Sequence, residues 1–364
     1  MRFRYTRHDP RERDEDERFA ELRRLLNYFL LMTNGDVDQA LRMMEELSQQ
    51  YGIYDDALGP GEFKRRLLEE GVIAEGDEGN ARLTRKGESR MRRDSLERIF
   101  GAVHGGGGGQ HRTPKEGGGG ERLTETRPFR FGDDVHALAA NPTLENVLRR
   151  GGIDDLSFSE DDLEVYDEEK VTFAATVLLI DVSHSMILYG QDRITPAKDV
   201  AMALAELILT KYPKDRLNVV VFGDDAQEVA IKDLPYVSVG PYHTNTRAAL
   251  QRAQKILLRH KTPNRQIFMI TDGKPSAITE GGRLYKNPFG LDLKVVNKTL
   301  DEAVVCRRRG IVISTFMLAD DPHLMNFVER LTRVNRGRAY YAGVEDLGQF
   351  LFVDYIQNRK RKYG

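Results

Sequence analysis

Three short stretches carry side chains whose types and spacing suit metal chemistry. The first is Asp181-Val182-Ser183-His184-Ser185-Met186, a carboxylate and two hydroxyls at alternate positions directly after an apolar run. In a turn these three side chains converge on one point. The second is Thr244-Asn245-Thr246 and the third is Thr271-Asp272-Gly273. Hard oxygen donors of this kind suit Mg²⁺ or Mn²⁺, which take near-octahedral oxygen at about 2.0–2.1 Å and keep several waters. Taken singly, each piece has an ordinary meaning: Ser and Thr cap helices, and Asp-Gly makes turns. The chemistry depends on whether the chain brings the three together.

The elements that must do so begin near Val171. Phe173 to Ile180 is a continuous apolar run, as in a strand buried on both faces. Pro196 suits the first turn of a helix that spans Ala197 to Leu209. Further strands are predicted at Leu217 to Phe222, Gln227 to Ile231, Gln266 to Ile270, Ile311 to Met317 and Arg338 to Tyr341. Helices are predicted at Thr246 to Arg259, Leu300 to Arg309, Pro322 to Thr332 and Val344 to Gln357. This alternation predicts an α/β fold with a doubly wound, mostly parallel sheet covered by helices on both faces. Ligands of such sheets sit beyond the carboxyl ends of the strands, which is where Asp181 and Asp272 fall.

The set Asp181-x-Ser183-x-Ser185, Thr244 and Asp272 resembles the metal-ion-dependent adhesion site of von Willebrand factor A domains, over about residues 171–364. The resemblance implies a Rossmann-like sheet. It implies that Ser183, Ser185 and Thr244 bind the metal directly, with Asp181 and Asp272 acting mainly through waters. It also implies an open coordination position for a partner's Glu or Asp. Two positions depart from the pattern: His184 and His243 stand where glycine is usual. Two readings of them stay open. They are either rim residues whose protonation near pH 6–7 would weaken cation binding, or surface substitutions.

Before this domain, residues 1–100 read as a small helical module, and Arg2 to Arg18 as a charge-dense disordered start. Helical spacing links Phe19, Leu22, Leu26, Phe29 and Leu30, then Ala40, Met43, Met44 and Leu47. Asn34-Gly35 ends one helix and Asp36 caps the next. Val72 to Ala74 and Ala81 to Thr84 suggest a hairpin, followed by a helix from Lys86 to Phe100, an order like that of a winged helix. Residues 101–125 contain two glycine tracts and read as a flexible linker. Residues 126–170 read as a connector with a short helix, Pro142 to Arg150, and an acidic edge strand at Leu163 to Val165. Lys274 to Asp292 reads as a long loop beside the metal, and Arg359 to Lys362 as a basic tail.

Composition narrows the function. With 55 basic and 57 acidic residues in 364, the net charge of −2 argues against a general nucleic-acid binder. One cysteine, Cys306, excludes an intrachain disulfide or a cysteine zinc cluster and reads as a core residue. The polar start and the absence of a long apolar run predict a cytoplasmic protein with no membrane segment. The layout resembles cytosolic bacterial and archaeal partners of MoxR-type AAA+ ATPases and the corresponding part of magnesium-chelatase D subunits. This implies a non-enzymatic adaptor whose metal captures an acidic side chain of an ATPase or client. No Gly-x-x-x-x-Gly-Lys-[Ser/Thr] occurs in these residues. Two alternatives remain: a subunit of a metal-chelatase complex, and an autonomous hydrolase using Ser183 or Ser185, for which no Gly-x-Ser-x-Gly elbow is present.

Overall fold

The computed structural model describes residues 10–55, 58–76, 79–105, 126–129, 138–152, 158–166, 173–190, 192–260, 262, 264–287, 292–343 and 346–359. The chain forms two compact units, Met1–Gly107 together with Phe173–Gly364, and Gly108–Thr172. In chain order, α1 (Pro10–Met32), α2 (Val37–Tyr51) and α3 (Pro60–Glu69) precede a hairpin of β1 (Ile73–Glu75) and β2 (Ala81–Leu83), and α4 (Arg85–Gly105) follows. The second unit contains β3 (Thr126–Pro128), α5 (Ala140–Gly151) and β4 (Glu164–Tyr166). The sheet domain then runs β5 (Ala174–Asp181), α6 (Ile194–Lys211), β6 (Arg216–Phe222), β7 (Ala226–Val229), α7 (Thr246–Leu257) and β8 (Asn264–Thr271). It continues with β9 (Ala277–Glu280), β10 (Arg283–Lys286), α8 (Leu293–Arg308), β11 (Ile311–Met317), α9 (Pro322–Asn335), β12 (Arg338–Tyr341) and α10 (Leu347–Arg359).

The main sheet has the order β12-β11-β8-β5-β6-β7, and β7 alone runs antiparallel. All eight residues of the central strand β5 are buried, as its unbroken apolar run requires. Ile180 lies opposite Ile270 of β8, and Asp181 opposite Phe222 of β6. The carboxyl ends of β5 and β8 therefore finish at one level, which brings the stretches after Ile180 and Ile270 side by side. One face of the sheet packs on α7, α8 and α9 through Leu250, Ile267, Leu300 and Phe327. The other packs on α6 and α10 through Ile180, Ala201, Phe268 and Tyr355.

Helix α6 decides the rest of the architecture. Fourteen of its residues are buried, on every side of the helix, so it needs cover on the face turned away from the sheet. The front helices supply it: α1 and α4 pack on α6, and Phe19, Leu26, Leu30 and Met91 share one apolar core with Leu178, Leu204 and Phe268. The polar residues of that face are paired. Glu206 meets Arg92 and Arg93 of α4 at 3.4 and 3.5 Å, and Asp199 meets Arg98. Lys198 is fully buried. Its Nζ donates to the carbonyls of Leu31, Pro235 (3.3 Å) and Val237 (3.0 Å) and to Asn34 Oδ1 (3.0 Å). A lysine here satisfies the Leu31 carbonyl left over at the end of α1, where Asn34 and Gly35 turn out of the helix with positive φ, together with two carbonyls of the segment after β7. At Gly35 (φ 86°) a Cβ would fall 2.3 Å from the Tyr236 ring.

Several expectations are corrected. The front helices are not set apart from the sheet domain, because they share its core. Residues from Pro10 onward are helical, not disordered, since Arg and Glu are good helix formers and Arg66 pairs with Asp16 at 2.7 Å. Lys274 to Asp292 contains the β9–β10 hairpin, turned by Gly281 and Gly282, both with positive φ. In the second unit the expected edge strand is paired: β3 pairs with β4, Val165 is buried, and buried Asp162 accepts from Arg150 Nη2 at 3.0 Å. Helix α4 extends into the expected linker. Residues 106–125 of that linker, Met1 to Asp9 and the basic tail from Lys360 onward lie outside the described residues.

Replacing Lys198 tests the joint between the front helices and α6. Lys198→Met leaves buried carbonyls without a donor, at about 1–3 kcal/mol for an unsatisfied group. Thermal denaturation is expected to show a Tm lower by about 5 °C or more, and an unchanged Tm would show that the ammonium is not holding the joint.

Candidate metal centre

The five side chains singled out above meet at the carboxyl edge of the sheet. Asp181 is the last residue of β5 and is wholly buried. Its Oδ1 accepts the backbone N–H of Ser183 at 2.9 Å, and its Oδ2 accepts the Thr271 hydroxyl at 2.6 Å. A run of hydroxyl donors then crosses the site: Thr244 Oγ1 to Ser183 Oγ at 3.1 Å, Ser183 Oγ to Ser185 Oγ at 3.1 Å, and Ser185 Oγ to Asp272 Oδ1 at 2.7 Å. The residues after Asp181 coil into a short 3₁₀ segment, His184–Gly190, which turns Ser183 and Ser185 toward one side.

Thr244 comes from a strap between β7 and α7. The strap is pinned by Gly240 N–H to Val182 O (3.2 Å), His184 N–H to Tyr242 O (3.2 Å) and Asn245 N–H to Gly223 O (2.8 Å). Asn245 caps α7 by accepting from Ala248 N–H, and the Ser276 hydroxyl oxygen accepts Thr244 N–H at 3.0 Å. Asp272 has its side chain fully buried, and its second oxygen accepts from Arg193 Nη1 at 2.6 Å. Both oxygens of Asp272 are thus engaged by the protein, one by a hydroxyl and one by a guanidinium.

Whether this set fits a metal turns on donors and room. Two carboxylates and three hydroxyls are hard oxygen donors, the kind that Mg²⁺ and Mn²⁺ take. Among the described residues, no cluster of three or more His, Cys, Asp or Glu side chains is placed to hold a softer or more heavily charged site. Room comes from Gly273. A Cβ there would lie 2.7 Å from Thr244 Oγ1, 3.1 Å from Ser185 Oγ and 3.4 Å from Asp181 Oδ2. The missing side chain leaves a space bordered by donors from three separate segments. A cleft of about 620 Å³ opens onto it, lined by Ser183, Ser185, Arg193, Thr244, Asp272 and Lys274 among others.

The two histidines also line this cleft. His184 is exposed, while the His243 backbone and ring both turn to Asp224, with Nδ1 at 3.3 Å from Oδ1. Among the described residues neither imidazole hydrogen-bonds to Ser183 or Ser185, whose hydroxyls are taken up by each other, Thr244 and Asp272. Arg193 and Ser276 escaped the sequence reading, because a single Arg before a helix and a single Ser in a turn follow no spacing rule.

With this fold and site described, the class follows: the sheet domain is a von Willebrand factor A domain. Residues 174–356 match the vWA domain of the Rv0959-like proteins, and residues 121–168 match the third domain of the same family. The chain belongs to the Rv0959-like family. It is 30% identical over 339 residues to the uncharacterized protein Rv0959 of Mycobacterium tuberculosis, covering 91% of this chain and 49% of that one. Mb0984 of Mycobacterium bovis matches to the same extent. The chain therefore spans about half the length of these curated relatives. A solved von Willebrand factor type A protein from Catenulispora acidiphila aligns at 14% identity with a TM-score of 0.40, over 52% of this chain and 44% of that one. No helix among the described residues is long and apolar enough to cross a membrane.

Burial, and then the neighbouring Asp272, push the Asp181 carboxyl up to about 7. The sign of its effect on stability follows. A folded-state pKa above the unfolded value of 3.8 stabilises the fold at low pH, and this contribution is lost as pH rises through about 7. Asp181→Asn keeps an acceptor for Ser183 N–H and can donate to Thr271 Oγ1, which can turn its own proton to Gly273 O, 3.2 Å away. In EDTA at pH 8 this variant is expected to be more stable than the wild type, by at most about 4 kcal/mol. Its advantage should vanish at pH 4. Denaturant titration at the two pH values checks this, and equal stability at pH 8 would show that the carboxylate is not held at a cost.

Proposed function

We propose that Asp181, Ser183, Ser185, Thr244 and Asp272 hold a divalent cation, Mg²⁺ or Mn²⁺, through which the protein captures an Asp or Glu side chain of a partner protein. The observation that carries this reading is the space left by Gly273 against three oxygen donors from different segments. When bound, the cation supplies an electrophilic position for a carboxylate. The chain's own part is to orient the donors. The Thr244, Ser183 and Ser185 hydroxyls are uncharged, so they leave the cation's charge largely unquenched and attractive to an incoming anion. Asp181 and Asp272 sit beneath them, each held by hydrogen bonds that fix its direction.

In this reading the protein is a binding protein, an adaptor that works with a AAA+ ATPase of the MoxR type or with a client of such an ATPase. The resemblance of its motif and layout to those partner proteins supports the choice, as does the lack of a Walker A pattern within these residues.

Gly273→Ala places a methyl group into the space between Thr244 Oγ1 and Ser185 Oγ without changing charge. Isothermal titration with MgCl₂ should show wild-type binding weakened at least about tenfold in Gly273→Ala, which is about 1.4 kcal/mol. Wild-type affinity in this variant would remove the cation from the site. A pull-down from lysate in Mg²⁺ against EDTA, read by mass spectrometry, should recover an ATPase or client in Mg²⁺ alone. The same recovery in EDTA would separate partner binding from the metal.

A further inference from the structure

The buried arginine beside Asp272 sets the charge of the whole site. We infer that Arg193 is a specificity-determining residue of the metal centre: a fixed cation that weakens its hold on the divalent ion and makes the occupied centre select an anionic ligand. This rests on the metal reading above and goes beyond it by assigning the anion preference to one residue.

Arg193 is held at both ends. Its backbone N–H donates to Met186 O at 3.0 Å, and it directly precedes α6, where Asp192 Oδ1 accepts Thr195 N–H at 3.0 Å. Its guanidinium is 11% exposed and lies 2.6 Å from Asp272 Oδ2 and 3.4 Å from Ser185 O. This is a charged group fixed among the donors themselves, not a mobile surface arginine. Charges in such a low-dielectric place act over short range without much screening.

The sum is simple. Two carboxylates and a divalent cation cancel. Two carboxylates, one guanidinium and a divalent cation leave one positive charge. Of the other charged groups lining the cleft, Lys274 pairs with Asp321 at 3.3 Å, and Asp320 is exposed, so water screens its charge from the donors. An occupied centre with one surplus positive charge is completed by a monoanionic carboxylate. The same surplus opposes entry of the cation. One residue therefore moves two affinities in opposite directions, which a merely structural arginine would not do.

The test uses the full chain with Mn²⁺ as the metal probe and acetate as the carboxylate probe. Mn²⁺ affinity is read by electron paramagnetic resonance, and acetate binding to the Mn²⁺-loaded protein by water-proton relaxation. Arg193→Met is expected to bind Mn²⁺ about tenfold tighter and acetate about tenfold weaker. Arg193→Lys, which keeps the charge, should stay within about threefold of wild type for both. If Arg193→Met requires metal to fold, its Mn²⁺-induced rise in Tm should exceed that of the wild type, and an equal or smaller rise would overturn the inference. Both affinities falling together, or neither moving, would also overturn it while leaving the metal reading intact. Failure of the wild type itself to bind Mn²⁺ would overturn the metal reading and this inference with it.

Discussion

A carboxylate shut away from water at the end of the central strand is the constraint from which the rest of the site follows. Asp181 has no solvent exposure and two hydrogen bonds, one from a backbone N–H and one from a hydroxyl. Ionised carboxylates are seldom left so poorly compensated in an interior. The neighbouring strand ends in Thr271, which donates to Asp181, and Gly273 just beyond it leaves room above. The turn after β5 sends two hydroxyls back over the same point. Burial and the nearby Asp272 make the ionised form of Asp181 costly, which is why its carboxyl is pushed up to about 7.

The second organising element is α6, a helix buried on all sides. It backs the sheet on one face and receives the front helices on the other. Its Lys198 binds the carbonyls of Leu31 and Val237, so the end of α1 and the start of the Thr244 strap hang on one ammonium. The strap reaches Thr244 seven residues after Val237. Placement of the oxygen donors in the candidate site and seating of the front helices are therefore parts of one packed structure.

Much of this was legible in the chain. The unbroken apolar run before Asp181 marks a doubly buried strand, and the alternation that follows it places Asp181, Thr244 and Asp272 at one sheet edge. The missed features share a cause: they are settled by tertiary contact. Ile194 to Lys211 reads as a helix, but its lack of a solvent face, visible in the run Val200-Ala201-Met202-Ala203-Leu204-Ala205, is the sign that something must cover it. The charges of residues 10–18 suggested disorder, yet the chain is helical from Pro10, and Asp16 pairs with Arg66 of α3. Gly281-Gly282 between Ala277 to Glu280 and Arg283 to Lys286 was a readable hairpin signal hidden inside an apparent loop. Arg193 had no signal, because its meaning depends on Asp272 lying 79 positions away.

The chain leaves the shared core at Gly105 and re-enters it at Phe173, after the glycine tracts and the family's third domain. Because α4 packs on α6 and β5 pairs with β6 and β8, both ends of this excursion are held, and the entropic cost of closing a flexible stretch rises only with the logarithm of its length, about 0.6 kcal/mol per doubling. A longer or shorter glycine stretch between these two points therefore changes that cost only slightly.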